Sequence, residues 1–339
     1  MSQEQRQPTM ADVALRAGVS VSTVSRTLRG LPSVAPPTRD RVERAAREMS
    51  FAVSRSASSL ASGRTRRVAV LTPGLHSWFL ATALSGVAAV LHASDLDLLV
   101  YSVIDPRERA EFFDRLPARR NADALLVISL ALTARERERL DELGMPVVFA
   151  GRPVPGRAGV YADDAEGARS GTRHLVNLGH RRIAYLGRDD GTGFGVNARD
   201  RLTGYRQALD EAGLPYEESL VSGAGGVREA LCGLLALPDV PTAVFAECDQ
   251  LAMEAVAVLR SYGLDVPGRT SVLGFDDHEL AGALDLTTVS QPAHRIGRVA
   301  AELASSMVDD PGRCPSRQHI VLPTRLILRG TTAPPPARR

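Results

Sequence analysis

The chain has 339 residues, 44% hydrophobic and 24% charged, with a formal net charge of +2. That is too long for one typical core and points to two or three domains with a soluble globular composition. The longest apolar run, "ALLVISLALTA", falls short of the roughly 20 residues a bilayer span needs, so no membrane partner is expected.

The opening "MSQEQRQPTM" has no apolar core and no cleavage site, so no secretion signal is expected. Cys232, Cys248 and Cys314 lie far apart without a CxxC pair. They support neither zinc nor a disulfide framework, and a reduced cytoplasm is the expected compartment. Charge is unevenly spread: residues 1–67 hold twelve arginines against five acidic residues, so the rest of the chain is net acidic. A basic head on an acidic body points to a polyanion partner for the head. There is no lysine, and all 41 basic residues are arginine. We attribute this to a GC-rich genome; it favours forked contacts to phosphate and guanine.

Residues 9–50 read as three short helices. Thr9 is a good N-cap with Asp12 three residues on, and Val13, Ala14 and Ala17 form an apolar stripe that Gly18 ends. Ser20 caps a second helix carrying Val21, Val24 and Leu28 on one face. Pro36 and Pro37 suit the first turn of a third, with Val42, Ala45, Ala46 and Met49 inward. The small, polar, basic stretch 52–66 reads as a linker.

From Val68 onward short β-rich runs alternate with helical ones. Predicted strands cover 68–72, 97–103, 124–129, 146–150, 182–187, 242–247 and 271–275; predicted helices cover 79–94, 107–120, 134–143, 164–178, 199–212, 226–237 and 249–262. This alternation predicts an α/β body of mainly parallel sheets, in two similar lobes either side of residue 160 with a cleft between them. The tail "TTAPPPARR" reads as disordered.

At 100° per residue, Val21, Val24 and Leu28 fall on one side of the second helix, and Ser22, Ser25, Arg26 and Arg29 on the other. Small side chains would let the backbone approach a groove, and Arg26 could fork onto guanine O6 and N7. Ser20 and Thr23, near the helix N-terminus, suit phosphates. With Thr9, they complete the candidate DNA contacts of the head. From this pattern alone, an amphipathic helix pair with a solvated polar face stands equally open.

"TMADVALRAGVSVSTVSRTLRG" followed by "TRDRVERAARE" resembles the head of the lactose/galactose-repressor (LacI/GalR) family of bacterial transcription regulators. "RTRRVAVLTP", "HLVNLGHRRIAYLG", "RLTGYRQAL", "DVPGRTSVLGFDD" and "LTTVSQP" extend the resemblance through essentially the whole chain. It implies a helix-turn-helix DNA-binding domain over 1–50, a hinge over 51–66, and a two-lobed periplasmic-binding-protein-like effector and dimerisation domain over 67–339. The lobe crossovers would fall near 162, 291 and 323.

The resemblance assigns base reading to Val21, Ser22 and Arg26, and a phosphate contact to Arg29. Val21 either touches a thymine methyl or packs against the protein. "FAVSRSASSL" resembles the family's hinge helix, matching at Phe51, Ala57 and Leu60, with Val53 and Ser54 where Pro and Asn are usual. Ser54 can still cap a helix. By position Leu60 is the wedge that enters the minor groove; the alternative is a flexible tether whose leucine rests on the body.

In the body the resemblance implies an effector site, expected to take a sugar or derivative, formed by Ser77, Trp78, Phe79, Arg152, Arg201, Cys248 and Asp276. Trp78 and Phe79 could stack on an apolar sugar face or a base, with Phe79 the better match; alternatively one of them is core. Arg201 could bind vicinal hydroxyls or a carboxylate through two parallel bonds. Asp276 could accept two hydroxyl hydrogen bonds, with Asp277 structural. Gly151, Cys248 and Ala293 depart from the family's usual polar or aromatic residues. Three readings of that pocket stay open: roomier, suited to an unusual ligand, or empty.

The resemblance implies an effector-controlled repressor that binds a palindromic operator as a homodimer, since "TTAPPPARR" contains none of the leucine heptad that tetramerising members carry. Two other classes compete. A signal sequence would be needed for an extracytoplasmic sugar-binding protein. For an enzyme, no GxGxxG, GxxxxGK[ST] or GxSxG sits at a strand–helix junction, and His180 reads as structural. No cofactor or metal is expected.

Overall fold

The computed structural model describes residues 8–28, 32–51, 64–187, 198–222, 226–310 and 318–337. The chain divides into two compact units, Met1–Arg66 and Arg67–Arg339.

In the first unit, helices α1 (Met10–Ala17), α2 (Val21–Leu28) and α3 (Pro36–Glu48) close around one small core. The Thr9 N–H donates to Asp12 Oδ2 at 2.8 Å and Thr9 Oγ1 accepts the Asp12 N–H at 3.3 Å, so two orphan donors of α1 are met reciprocally. Gly18, at φ +66°, turns the chain out of α1 in a left-handed conformation that costs a glycine little. Ser20 Oγ accepts the Thr23 N–H at 3.2 Å and starts α2. Val13, Val24 and Val42 are fully buried among Ala14, Ala17, Ala45 and Ala46. Helices this short are marginal in isolation, so their packing holds them. Each fully buried valine contributes about 1.5–3 kcal/mol.

One sequence expectation fails here. Val21 is 47% exposed and is not part of the inward face. Thr27 takes that place, buried with its hydroxyl donating to the Thr23 carbonyl at 2.9 Å. A threonine on an inward stripe can return its hydroxyl to its own helix and so join an apolar face.

The body holds two six-stranded sheets. The first lobe is built from β1 (Arg67–Thr72), α4 (Trp78–Ala93), β2 (Asp97–Ser102), α5 (Pro106–Arg115), β3 (Ala124–Ile128), α6 (Ala134–Asp141), β4 (Val147–Ala150) and β5 (Gly159–Ala162). The second follows with α7 (Asp164–Asn177), β6 (Ile183–Leu186), α8 (Ala198–Glu211), β7 (Val221–Ser222), α9 (Val227–Leu235), β8 (Ala243–Ala246), α10 (Asp249–Ser261), β9 (Ser271–Asp276) and β10 (Thr287–Ser290). The chain then returns with α11 (Ala293–Asp309) and β11 (His319–Leu322) before β12 (Arg325–Ile327). The strand orders are β11-β5-β4-β3-β1-β2 and β12-β10-β9-β8-β6-β7. All pairs are parallel except β10 with β12. The chain thus passes between the sheets at 163, 291–292 and 323–324.

Strands covered on both faces read as unbroken apolar runs: Val68, Ala69, Val70 and Leu71 are all buried. Each lobe contains a helix pair in very close contact. A Cβ at Gly297 of α11 would lie 1.9 Å from the Ala83 carbonyl oxygen of α4, and one at Gly204 of α8 would lie 1.9 Å from that of Ala165 in α7. Only glycine permits either approach.

Over residues 331–337 the tail is docked rather than disordered. Thr331 is 1% exposed; its Oγ1 donates to the Val272 carbonyl at 2.7 Å, and its own carbonyl accepts the Val272 N–H at 2.8 Å. The Ala333 N–H donates to Ser271 Oγ at 3.0 Å, and His180 Nε2 lies 2.9 Å from the Ala333 carbonyl. A Thr/Pro-rich segment cannot extend a helix, but it can dock in extended form through such bonds. His180, buried and also 2.8 Å from Thr242 Oγ1, ties β6, β8, β9 and the tail together.

Candidate functional site

On the head, Ser20 Oγ lies 2.8 Å from Ser22 Oγ and 2.9 Å from Thr23 Oγ1, a hydroxyl cluster at the exposed start of α2. Ser22 and Arg26 are exposed and Ser25 is half-buried. Arg26 makes no hydrogen bond or ion pair among the described residues, while Arg16 on α1 pairs with Glu48 on α3 at 2.9 Å. The hydroxyl of Thr9 is engaged by Asp12 at 2.7 Å. Leu15, which the sequence reading passed over, is 86% exposed on α1; its position off the stripe of Val13, Ala14 and Ala17 was the available signal. Arg29, Ser54, Ala57 and Leu60 lie outside the described residues.

In the body, the carboxyl ends of the strands carry the polar groups, as is usual for open α/β sheets. The backbone is left-handed at several of these ends: Ser129 (φ +50°), Gly151 (+84°), Asp276 (+127°) and Asp277 (+62°). Non-glycine residues hold such angles at a cost and concentrate at functional sites.

Arg201, only 7% exposed, is the hub. Its Nε donates to Asp164 Oδ1 at 2.7 Å, its Nη1 donates to the Glu247 carbonyl and lies 3.6 Å from Asp276 Oδ1, and its guanidinium sits 3.7 Å from the Phe275 ring centre. One cation serves several buried acids. Burial alone would lower the Arg201 pKa, but Asp164 and Asp276 hold it above the usual guanidinium range. Burial raises Asp164 against the opposing pull of Arg201, and pushes Asp276 up to about 7.

Gln291 Nε2 donates to Asp276 Oδ1 at 2.5 Å, and its Oε1 is buried without a partner among the described residues. Gln291, within "LTTVSQP", is not among the expected site residues; a polar residue just past a strand end is the signal that marks it. Asp277 pairs with Arg329 at 2.7 Å. Asp249, buried at the start of α10, accepts Thr288 Oγ1 at 2.5 Å and the His278 N–H at 2.7 Å. Burial pushes it up to about 6. Cys248, half-buried, stands at the cap of α10.

The aromatic pair separates. Phe79 is 9% exposed and belongs to the first-lobe core, so it is not a stacking surface. A Cβ at Gly151 would meet its ring at 3.0 Å and Ser129 Oγ at 2.7 Å, so Phe79 and Ser129 fill the volume a side chain at 151 would take. The pocket gains no room there. Ala293 is likewise buried in that core. Trp78 is half-buried, its ring 5.7 Å from that of His278 across the lobes. Ser77, Trp78, Gln250 and His278 line a cavity of about 540 Å³ whose lining includes neither Arg201 nor Asp276. Arg152, half-buried at the end of β4, has an Nε buried without a partner among the described residues. Burial lowers its pKa, Asp200 opposes this, and Arg137 and Arg199 add to the lowering.

Among the described residues no helix is long and apolar enough to cross a membrane, and no cluster of side chains could hold a metal ion. A profile described as "Bacterial regulatory proteins, lacI family" matches residues 9–54, and one described as "Periplasmic binding protein-like domain" matches residues 172–332. The HTH-type transcriptional regulator CelR of Thermobifida fusca is 34% identical over 346 residues, covering 96% of this chain and 99% of that one. The solved structure of a transcriptional regulator CelR–cellobiose complex is 33% identical with a TM-score of 0.71, over 96% of this chain and 99% of that one. The lac repressor dimer bound to operator and the anti-inducer ONPF shares the fold: TM-score 0.84 at 24% identity, over 97% of this chain and 100% of that one.

Proposed function

The chain belongs to the LacI family of bacterial regulatory proteins and is a DNA-binding transcriptional regulator, and on that premise we propose that it is a repressor whose operator affinity is set by a small effector, a sugar or derivative, held between the two lobes. Two copies form a homodimer and read the halves of a palindromic operator. The domains are a head over 1–50, a hinge over 51–66 and an effector body over 67–339.

The observation that carries this reading is the exposed face of α2, with Ser22 beside an Arg26 that has no partner among the described residues. Arg26 forks onto guanine, Ser22 reads a neighbouring base edge, and exposed Val21 meets a thymine methyl. Ser20, Thr23 and Arg29 hold phosphates, with Thr9 and Ser25 at the margin. Ser54, Ala57 and Leu60 of the hinge are DNA contacts, with Leu60 the residue for the minor groove. In the body Arg201 and Asp276, steadied by Asp164 and Gln291, meet effector hydroxyls; Arg152 and Cys248 complete the wall, with Ser77 and Trp78 on the adjoining cavity. Binding there alters the lobe angle and so the spacing of the hinges.

A gel shift on the DNA upstream of its own gene tests the reading. A retarded band that weakens or strengthens with a sugar is the expected result. No retardation at moderate salt, with or without sugars, overturns it.

A further inference from the structure

Among the described residues, Arg152 is the one arginine with a buried guanidinium nitrogen that lacks a partner. It follows Gly151 at the carboxyl end of β4, its Nε is buried, and it makes no hydrogen bond and no ion pair among the described residues. A buried guanidinium nitrogen normally finds a carboxylate or a carbonyl, because leaving it bare forfeits its hydration without return; in half-buried Arg152 this applies to Nε. Arg201 differs in this respect, being already engaged by Asp164 and the Glu247 carbonyl.

The surroundings of Arg152 have a sign. Arg137, from α6 of the same lobe, and Arg199, from α8 of the other, both act on it, against the single carboxylate of Asp200. Arg137 donates to the Leu132 carbonyl at 2.8 Å and has no ion pair among the described residues; nor has Arg199, which is exposed. Among the described residues, the charges acting on Arg152 are thus two further guanidiniums against one carboxylate, an excess of positive charge drawn from both lobes. A neutral hydroxyl could accept from the Arg152 Nε, but it would leave that excess in place. A phosphate or carboxylate meets both needs, accepting two parallel N–H bonds and cancelling charge.

We propose that the effector is anionic, carrying a phosphate or carboxylate that Arg152 binds from the first lobe while Arg199 approaches it from the second. This rests on reading the cleft as the effector site. It also gives the anion a role: a charge held by both lobes favours their closed arrangement.

The test uses the full chain with Arg152→Met, Arg152→Lys and Asp200→Asn variants. Without ligand, Arg152→Met is expected to melt no lower than the wild type; a fall of several degrees makes Arg152 a structural residue and overturns the proposal. Inorganic phosphate, titrated against chloride at constant ionic strength, is expected to raise the wild-type melting point, leave Arg152→Met unmoved and act in part on Arg152→Lys. Equal shifts in wild type and Arg152→Met, or none in either, overturn it. Asp200→Asn is expected to strengthen the phosphate response by removing a competing charge; if it abolishes the response, Arg152 and Asp200 form an interlobe latch and the proposal falls. Glucose, glucose 6-phosphate and glucuronate separate the two readings. A neutral sugar that releases operator DNA as well as its charged counterparts, in wild type and Arg152→Met alike, refutes the anion and keeps the effector site. If none of the three alters operator affinity while phosphate still acts through Arg152, the anion site stands and the effector reading is what fails.

Discussion

Arg201 of α8 and Asp164, the first residue of α7, are joined by a 2.7 Å ion pair immediately past the first passage of the chain between lobes. The pair therefore couples the interior of the second lobe to a hinge point. Replacing Arg201 by Met would leave Asp164 and Asp276 buried without their cation. Breaking a buried pair from one side costs about 3–5 kcal/mol, read as a lower urea midpoint. A loss within about 0.5 kcal/mol, as at an ordinary surface site, would mean the cluster is wet.

The acids of this cluster set a pH dependence. Burial pushes Asp276 up to about 7 and Asp249 up to about 6, from an unperturbed 3.8. Each binds its proton more tightly in the folded state, so its stabilising contribution is complete below pH 3.8 and is lost as pH rises through 6 and 7. Glu136, where burial is outweighed by Arg109 and Thr133 together, and Asp141, held down by Arg157, act in the opposite sense. Comparing Asp276→Asn with the wild type isolates the effect: the wild type should lose ground to the variant between pH 4.5 and 7.5. A difference independent of pH would place the Asp276 pKa outside that interval.

Arg26→Ala is expected to cost about 1–3 kcal/mol on the specific operator and far less on unrelated DNA, measured by fluorescence anisotropy at one fixed salt concentration. Equal losses on both would make Arg26 a phosphate contact only.

Two glycines give opposite expectations for one substitution. Gly204→Ala forces a methyl against the Ala165 carbonyl, and overpacking of this kind costs about 1–3 kcal/mol or more. Gly233, in α9, has nothing within 4 Å of its would-be Cβ. There Ala should stabilise by about 0.5–1 kcal/mol. Denaturant midpoints of the two variants should move in opposite directions.

The docked tail supplies a further expectation. His180→Ala removes a ring that meets Thr242, Ser271 and Ala333, and leaves buried donors and acceptors unmet. A loss of about 1–3 kcal/mol is expected, together with faster proteolysis after Arg329. A tail equally protected in the variant would show that its own backbone bonds suffice.

Local chemistry made the head legible from sequence: the Thr9–Asp12 pair, Gly18 and the Pro36–Pro37 step each act within a few residues. Strands β1, β3, β4, β6, β8 and β9 were legible because burial leaves continuous apolar runs, and half-buried β2 because its run of Leu98, Leu99 and Val100 is still apolar. Strands β7, β11 and β12 escaped because they lie at sheet edges and carry no buried apolar run, and β5 and β10 because Gly159 and the pair Thr287–Thr288 interrupt theirs. Helix α11 escaped because Ala and Gly dilute its stripe of Ile296, Leu303 and Met307. Arg201 and Asp276 could be named by position. Their neighbours Asp164 and Gln291 come from the crossovers, and only the folded chain brings them together.

The interleaved topology also governs when the protein can fold during synthesis. The head takes its core from residues 13–51 and can close early. Neither lobe can, because the first awaits α11 and β11, and the second awaits β12 and the bonds of Thr331 and Ala333. Until the last few dozen residues leave the ribosome, both sheets present unpaired edges. In that interval the nascent body, unlike the head, is a natural client for chaperones.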